Sequence, residues 1–108
     1  MRHERFEWDE DKAIANLAKH RVTFEEAAAV LADPFAEHSH VTTFDGPHSQ
    51  EEDRWKTMGS YPFDRSKIFL VVWTRRVDAE GLLVTRIIGA RLLTVRERKA
   101  YKNETPNR

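Results

Sequence analysis

The sequence contains no cysteine, which excludes disulfide bridges, thiolate metal sites and a cysteine nucleophile. No apolar run approaches the roughly 18 residues needed to span a bilayer, and the opening stretch MRHERFEWDEDK lacks the apolar core of a signal peptide. We therefore expect no membrane segment and a cytoplasmic protein. The sequence also lacks a glycine-rich phosphate loop, a nucleophile elbow and a zincin motif, so it predicts no cofactor.

The chain as a whole has no excess of either charge, because 18 Lys and Arg balance 18 Asp and Glu. The two halves differ sharply. Residues 1–53 hold 5 basic and 13 acidic side chains, a net charge of −8, whereas residues 54–108 hold 13 and 5, a net charge of +8. This asymmetry indicates an anionic partner for the basic half. The alternative is that the two halves attract each other across the fold.

The length of 108 residues and the apolar fraction of 40% predict one domain over residues 1–108, with a frayed tail at 104–108. A short strand, RFEWD, precedes an amphipathic helix that ends near His20. A capping box from Thr23 to Glu26 begins a second helix, which must stop before Pro34.

From residue 35 the pattern favours strands, in FAEHSHVTTF, RWKTMGSY, KIFLVVWTRR and LLVTRIIGARLL, with a hairpin turn at DAEG. A capping box from Thr94 to Glu97 then begins a last helix, to about Lys102. This order predicts an α+β fold, an antiparallel sheet flanked by two N-terminal helices and a C-terminal helix.

Two arginines interrupt the apolar strand RIIGARLL. Because removing an unpaired charge from water costs several kcal/mol, Arg86 and Arg91 must meet an acid, the solvent or an anion. One interpretation pairs them with acids of the first half; the other makes them a phosphate site, since the guanidinium fork matches phosphate oxygens. In a regular strand these two positions point to opposite faces. A bulge at Gly89 would bring them together.

Further candidate residues lie on the helices. Lys19 and His20 end the first helix, where its dipole favours positive charge, but His20 is also a candidate acid or base near neutral pH. Arg96 and Arg98 near the start of the last helix gain nothing from the dipole. They form either a solvated face or part of an anion site.

Three histidines lie close together in the sequence, His38 and His40 on a predicted strand and His48 in the loop after it. His38 and His40 could bind a metal together, but a third ligand at a spacing typical of a metal site is missing. We therefore expect exposed histidines and no metal site.

Several separate motifs resemble those of the BrnT family of toxins. FEWDEDKAIANLAKHRVTFEEAAAVLADP has the family's W-D-x-x-K start, N-x-x-K-H helix end and F-E-E-A second helix. EEDRWKTMG is similar to its E-x-R-W-x-x-x-G segment, and RIIGARLLTVRERKAY to its R-I-I-S-A-R-x-x-T-x-x-E-R-x-x-Y close. The resemblance covers about residues 5–101.

The resemblance implies a ribonuclease toxin of a type II toxin–antitoxin pair, with a RelE-like fold, that cuts RNA and stops translation. Its partner would be a small ribbon-helix-helix antitoxin similar to BrnA, and operator DNA would be bound only through the complex. Cleavage would need no metal, because the ribose 2′-OH attacks the adjacent phosphorus while arginines stabilise the developing charge. The alternative is a module that binds RNA or antitoxin without catalysis.

This resemblance gives the candidate residues their expected roles. Catalysis would involve phosphate-binding arginines and an acid or base, with a tyrosine as a further candidate: Arg86, Arg91, His20 or Lys19, and Tyr101. Three more arginines would contact the RNA: Arg54, Arg96 and Arg98.

The chain departs from the family pattern at two positions. Arg21 stands where the family commonly has a glycine after K-H, and an arginine there would either adopt the left-handed conformation at a cost of roughly 1 kcal/mol or end the helix differently. Gly89 replaces a serine, which removes a hydroxyl and makes a bulge easier. Either change could alter activity.

Overall fold

A computed structural model describes residues 5–46 and 53–104. The elements in chain order are β1 (Arg5–Glu7), α1 (Glu10–His20), α2 (Phe24–Leu31), α3 (Ala36–Ser39), β2 (Val41–Phe44), β3 (Trp55–Tyr61), β4 (Asp64–Val77), β5 (Leu83–Leu92) and α4 (Val95–Glu104). The strands form one sheet in the order β1-β5-β4-β3-β2. All neighbours are antiparallel except β1, which runs parallel to β5. The predicted α+β class is confirmed.

The predicted helix starts are confirmed by their capping hydrogen bonds. The Thr23 backbone N–H donates to Glu26 Oε1 at 2.9 Å, and the Glu26 N–H donates to Thr23 Oγ1 at 3.0 Å. The same reciprocal pair joins Thr94 and Glu97 at the start of α4, with distances of 2.8 and 3.2 Å. Each cap satisfies backbone donors that the first helical turn leaves without partners.

The sheet has two unequal apolar faces. Helices α1 and α2 cover one of them, where Phe24, Ala27 and Val30 pack with residues of the two central strands such as Phe69 and Ile87. On the other face α4 covers only one end, through a smaller cluster of Ile68, Leu93 and Tyr101. The rest of that second face is not covered by a helix of the described ranges.

Asn16 closes the edge of β5 beyond the short strand β1. Since β1 pairs only with Val84 to Arg86, the backbone of Ala90 has β4 on one side and no strand on the other. The Asn16 side chain takes the place of a strand: its Nδ2 donates to the Ala90 carbonyl oxygen at 2.9 Å, and its Oδ1 accepts from the Ala90 N–H at 3.2 Å. The Asn of the N-x-x-K-H motif thus fixes α1 against the sheet.

The strand predicted over FAEHSHVTTF is wrong in its first part, because residues 36–39 form the helical turn α3 and β2 begins at Val41. The cause is Asp33, whose buried carboxylate accepts from the Phe35 N–H at 2.9 Å and the Ser39 hydroxyl at 3.1 Å. These bonds favour a turn over an extended chain.

The predicted histidine arrangement changes with this turn. His40 Nε2 lies 2.6 Å from the Val30 carbonyl oxygen, so this ring bridges α2 and β2 and is half-buried. The side chain of His38, and His48 as a whole, lie outside the described residues.

Helix α4 continues to Glu104, the first residue of the predicted tail, and residues 105–108 are not described. None of the helices in the described ranges has the length and apolar character needed to cross a membrane.

Candidate nucleic-acid interface

Strand β5 contains a bulge beside Gly89, where the sequence favoured one. Arg86 pairs with Thr74 and Ile87 with Trp73, but the next pair joins Gly89 to Val72, which leaves Ile88 as an extra residue. A bulge of this kind inserts one residue into the alternation of side chains. It therefore shifts the face of every later residue in β5.

Arg86 and Arg91 consequently lie on the same face of the sheet. Arg86 is opposite Thr74 and Arg91 is opposite Leu70, and these two residues of β4 are four positions apart, so they share a face. The distance along the strand is about 13 Å. The two arginines thus stand on one face at a separation of a few residues.

This face is the one that α1 and α2 do not cover. Strand pairing places two more cations on it, Lys56 opposite Val72 and Arg76 opposite Val84. We call the set of Lys56, Arg76, Arg86 and Arg91 the basic face. Arg54 directly precedes β3 beside it and is half-buried.

Glu7 of β1 holds two arginines of the basic face. It accepts two hydrogen bonds from Arg76, at 2.7 and 2.6 Å, and a longer one from Arg86 Nη1 at 3.2 Å. The Arg76 hydrogen bonds, with a smaller contribution from Arg86, lower the pKa of Glu7 from 4.5 to about 2. A guanidinium has five N–H donors, and the bond to Glu7 uses one donor of Arg86. Most donors of Arg86 therefore do not bond to Glu7.

Arg91 is held by the capping residue of α4. Its Nη1 and Nη2 donate to the two carboxylate oxygens of Glu97 at 2.7 and 2.8 Å, and Nη1 also donates to the Leu92 carbonyl oxygen. The Arg91 hydrogen bonds lower the pKa of Glu97 from 4.5 to about 2, and the Thr94 N–H acts in the same direction. One carboxylate therefore both starts α4 and orients Arg91.

Of the two interpretations of these arginines, the structure contains the pairing with acids. One acid, Glu7, belongs to the first half of the chain as expected, and the other, Glu97, to the second. Neither pair uses every N–H of its arginine.

The end of α1 lies beside the part of β5 that carries Arg91. Asn16 is bonded to Ala90, the residue before Arg91, and His20 follows Asn16 by one helical turn. His20 is half-buried and Lys19 is exposed. Arg21 ends the helix in the left-handed conformation, with φ 58° and its N–H on the Leu17 carbonyl oxygen, so the strained geometry expected of this departure is confirmed.

Helix α4 places its three candidate residues differently. Tyr101 is buried, and its hydroxyl donates to the Ser39 carbonyl oxygen at 2.6 Å. Burial raises the pKa of this phenol. Arg96 and Arg98 are exposed, and within the described part of the chain no hydrogen bond or ion pair engages their side chains.

Sequence reasoning missed Glu7, Arg76 and Lys56. The signal for Glu7 was its position between Phe6 and Trp8, which directs it to the face opposite those rings. The arginine doublet near the end of β4 was the signal for Arg76.

No group of three or more His, Asp or Glu side chains with the arrangement of a metal site occurs in residues 5–46 and 53–104.

Comparison with models of protein families identifies a family for this chain. Residues 8–97 match the family model described as "Ribonuclease toxin, BrnT, of type II toxin-antitoxin system". The matched range includes Arg86, Arg91 and Glu97 and ends before Tyr101. No curated protein matches the sequence at a significant level.

Proposed function

The chain belongs to the BrnT family of ribonuclease toxins of type II toxin–antitoxin systems, and we propose that it is a cytoplasmic endoribonuclease that cuts RNA without a metal ion and thereby stops translation. The observation that carries the proposal is the common face of Arg86 and Arg91, produced by the bulge in β5. Two guanidinium groups on the face of the sheet that α1 and α2 do not cover are suited to an anionic chain.

In the proposed reaction the ribose 2′-oxygen attacks the adjacent phosphorus and the bond from phosphorus to the 5′-oxygen breaks. The products are a 2′,3′-cyclic phosphate and a 5′-hydroxyl. Arg86 and Arg91 donate hydrogen bonds to the phosphate oxygens, whose negative charge grows in the transition state. Because both side chains are already oriented by carboxylates, little reorganisation is needed when the RNA binds.

Proton transfer is assigned to the end of α1. His20 takes the proton of the 2′-OH or supplies the proton of the leaving 5′-oxygen, and Lys19 is the other candidate. The support is the bond from Asn16 to Ala90, which fixes α1 to the edge of β5 at the residue before Arg91. Tyr101 is a further candidate; its hydroxyl also holds α4 in place through the Ser39 carbonyl oxygen.

The arginines outside the central pair extend the proposed RNA path. Arg96 and Arg98 lie exposed on the first turn of α4, which follows β5 after two residues, and Arg54 lies at the start of β3. Together with the basic face they account for much of the excess charge of the second half. Phosphate contacts of this kind strengthen binding without reading sequence.

The family implies an antitoxin partner. We propose a small ribbon-helix-helix protein similar to BrnA, which covers the toxin and provides the contact of the complex with operator DNA. The basic face offers an acidic antitoxin segment the same donors that it offers RNA.

The test is RNA cleavage by purified, antitoxin-free protein in the presence of EDTA. Wild type should cut. A positioned acid or base contributes about 10²–10⁴ in rate, so His20→Ala should lose activity in that range. Loss of a donor to the developing charge costs about 10²–10³, which we expect for Arg86→Ala and Arg91→Ala. The matched control is Arg75→Ala, since Arg75 lies on the opposite face over the Trp73 ring.

Salt dependence provides a second measurement. Binding of single-stranded RNA should weaken as salt rises, and each lost phosphate contact should reduce the slope of log K against log salt by about 0.7. If Arg86→Ala, Arg91→Ala and His20→Ala cut RNA as fast as wild type, the residue assignment is wrong.

A non-catalytic binding module is the second candidate function. It is favoured by the pairing of both central arginines with the chain's own carboxylates, Glu7 and Glu97. Under this hypothesis the purified protein binds RNA or antitoxin but leaves RNA intact, and its induced expression leaves growth and translation unchanged.

A further inference from the structure

Gly89 occupies the middle of the basic face at a position where neither close packing nor positive φ requires a glycine. It lies between Arg86 and Arg91 on β5, opposite Val72. A Cβ built on it meets no atom within 4 Å. The φ angle of Gly89 is not in the left-handed region; among the described glycines, only Gly81 has a positive φ. Neither packing nor backbone conformation therefore excludes a larger residue.

A glycine in this place weakens the strand. In the interior of a regular element it costs roughly 0.5–1 kcal/mol relative to alanine, because it loses more conformational freedom on folding. The bulge tolerates a glycine but does not require one, since a bulge that requires glycine places it at positive φ. Another common reason for glycine inside a strand is the close approach of a ligand or a second backbone segment, and no described atom lies within 4 Å of a Cβ built on Gly89.

The positions of the two arginines indicate which ligand this is. Gly89 stands between Arg86 and Arg91 on the same face of β5, so the short path of a molecule that contacts both arginines passes over it. Their separation of about 13 Å along the strand exceeds the size of one phosphate and suits a chain with repeated negative charges. A floor of bare backbone between two cations favours a sugar–phosphate chain over an apolar segment.

We propose that the backbone at Gly89 is the floor of an RNA subsite, over which the ribose–phosphate chain passes with phosphates on the Arg86 and Arg91 sides. This inference rests on the proposed function, since it takes RNA as the ligand. It adds that the size of the residue at position 89 limits how closely RNA approaches the two arginines.

The test is a size series at one position in the full chain: Gly89→Ala, Gly89→Ser, Gly89→Val and Gly89→Leu. Melting temperature should stay the same or rise across the series, because a Cβ at this position meets no atom within 4 Å and glycine weakens a strand. Cleavage should fall with size. A displacement of RNA by about 1 Å can cost 10²-fold in rate, so we expect losses of roughly 100-fold or more for Val and Leu and much smaller losses for Ala and Ser.

Binding is measured separately with a 2′-O-methyl RNA oligonucleotide, which cannot undergo 2′-OH attack. Its Kd should rise in the Val and Leu variants in parallel with the loss of cleavage. The matched control is Ala79→Leu, which adds a similar side chain at an exposed position in the β4–β5 turn. It should bind and cut as wild type does.

The outcomes separate the two proposals. If wild type binds the oligonucleotide, Gly89→Leu abolishes that binding and neither wild type nor any variant cuts RNA, the subsite stands and the catalytic function fails. If the folded Gly89→Leu protein binds and cuts as wild type does, the subsite is wrong. It is also wrong if this variant loses only antitoxin binding, because Gly89 would then contact the antitoxin and not RNA. A wild-type protein that does not bind RNA would refute it as well.

Discussion

Replacing Glu97 with glutamine tests how strongly the arginine–carboxylate pairs stabilise the fold. Glutamine also serves as the third residue of a capping box, so the start of α4 should keep its cap. What the variant removes is the negative charge that faces Arg91 across two hydrogen bonds of 2.7 and 2.8 Å. Glu97→Gln therefore changes little except one negative charge.

The expected magnitude follows from the pKa of Glu97, which is lowered from 4.5 to about 2. If the whole difference in pKa between the folded and unfolded states contributes, it corresponds to about 3 kcal/mol in the free energy of unfolding. The side chains of Glu97 and Arg91 are 31% and 33% exposed, so solvent screens the pair. We therefore expect Glu97→Gln to lower the free energy of unfolding by about 1–2 kcal/mol at pH 7.

The dependence on pH identifies the cause. Because the pKa is lower in the folded than in the unfolded protein, the contribution is fully present above pH 4.5 and is lost as pH falls towards 2. Urea unfolding at pH 7 and pH 3 should show the difference between wild type and variant shrinking to less than half. Glu80→Gln, at an exposed position in the β4–β5 turn, is the control.

Two results would refute this reasoning. One is a Glu97→Gln protein as stable as wild type at pH 7, which would mean that the ion pair contributes nothing measurable. The other is an equal loss at both pH values, which would place the cause in packing or in the cap instead of the charge.

Three further predictions concern single contacts. Arg21→Gly should raise the free energy of unfolding by about 1 kcal/mol, because it relieves a left-handed residue at φ 58°; a lower melting temperature would contradict this. Asn16→Ala should lower it by about 2–3 kcal/mol in urea unfolding, because the Ala90 N–H and C=O both lose their partner, whereas an unchanged midpoint would mean that water replaces the amide. Tyr101→Phe should cost about 1 kcal/mol through the lost bond to the Ser39 carbonyl oxygen. Since a positioned acid or base contributes about 10²–10⁴ in rate, RNA cleavage by that variant near the wild-type rate would remove Tyr101 from the catalytic candidates.

The parts of the fold that could be predicted are those determined by neighbouring residues. The capping boxes at Thr23 and Thr94 act over three residues, and both begin helices where expected. The apolar run of β4 and the turn before β5 are equally local. The bulge was also accessible, because a glycine inside a strand weakens regular pairing and so favours a change of register there.

The parts that could not be predicted depend on residues far apart in the sequence. Glu7 meets Arg86 across 79 positions only because β1 is parallel to β5, and a three-residue strand carries little information about its neighbour. The turn at α3 was missed for a related reason. Its β-branched and aromatic neighbours favour a strand, and Asp33, which is also paired with Arg65 of β4, overrides that local preference.

The carboxylates on the basic face bear on the choice between an enzyme and a binding module. A surface that only attracts RNA gains most from bare cations, since each uncompensated charge strengthens the attraction to phosphate. Glu7 and Glu97 reduce that attraction, yet they fix the guanidinium groups of Arg86 and Arg91 before any substrate arrives. Fixed donors contribute most where charge develops during a reaction, because no reorganisation is then needed. The pairing that first favoured a structural role for these arginines is therefore also compatible with the proposed catalytic phosphate site.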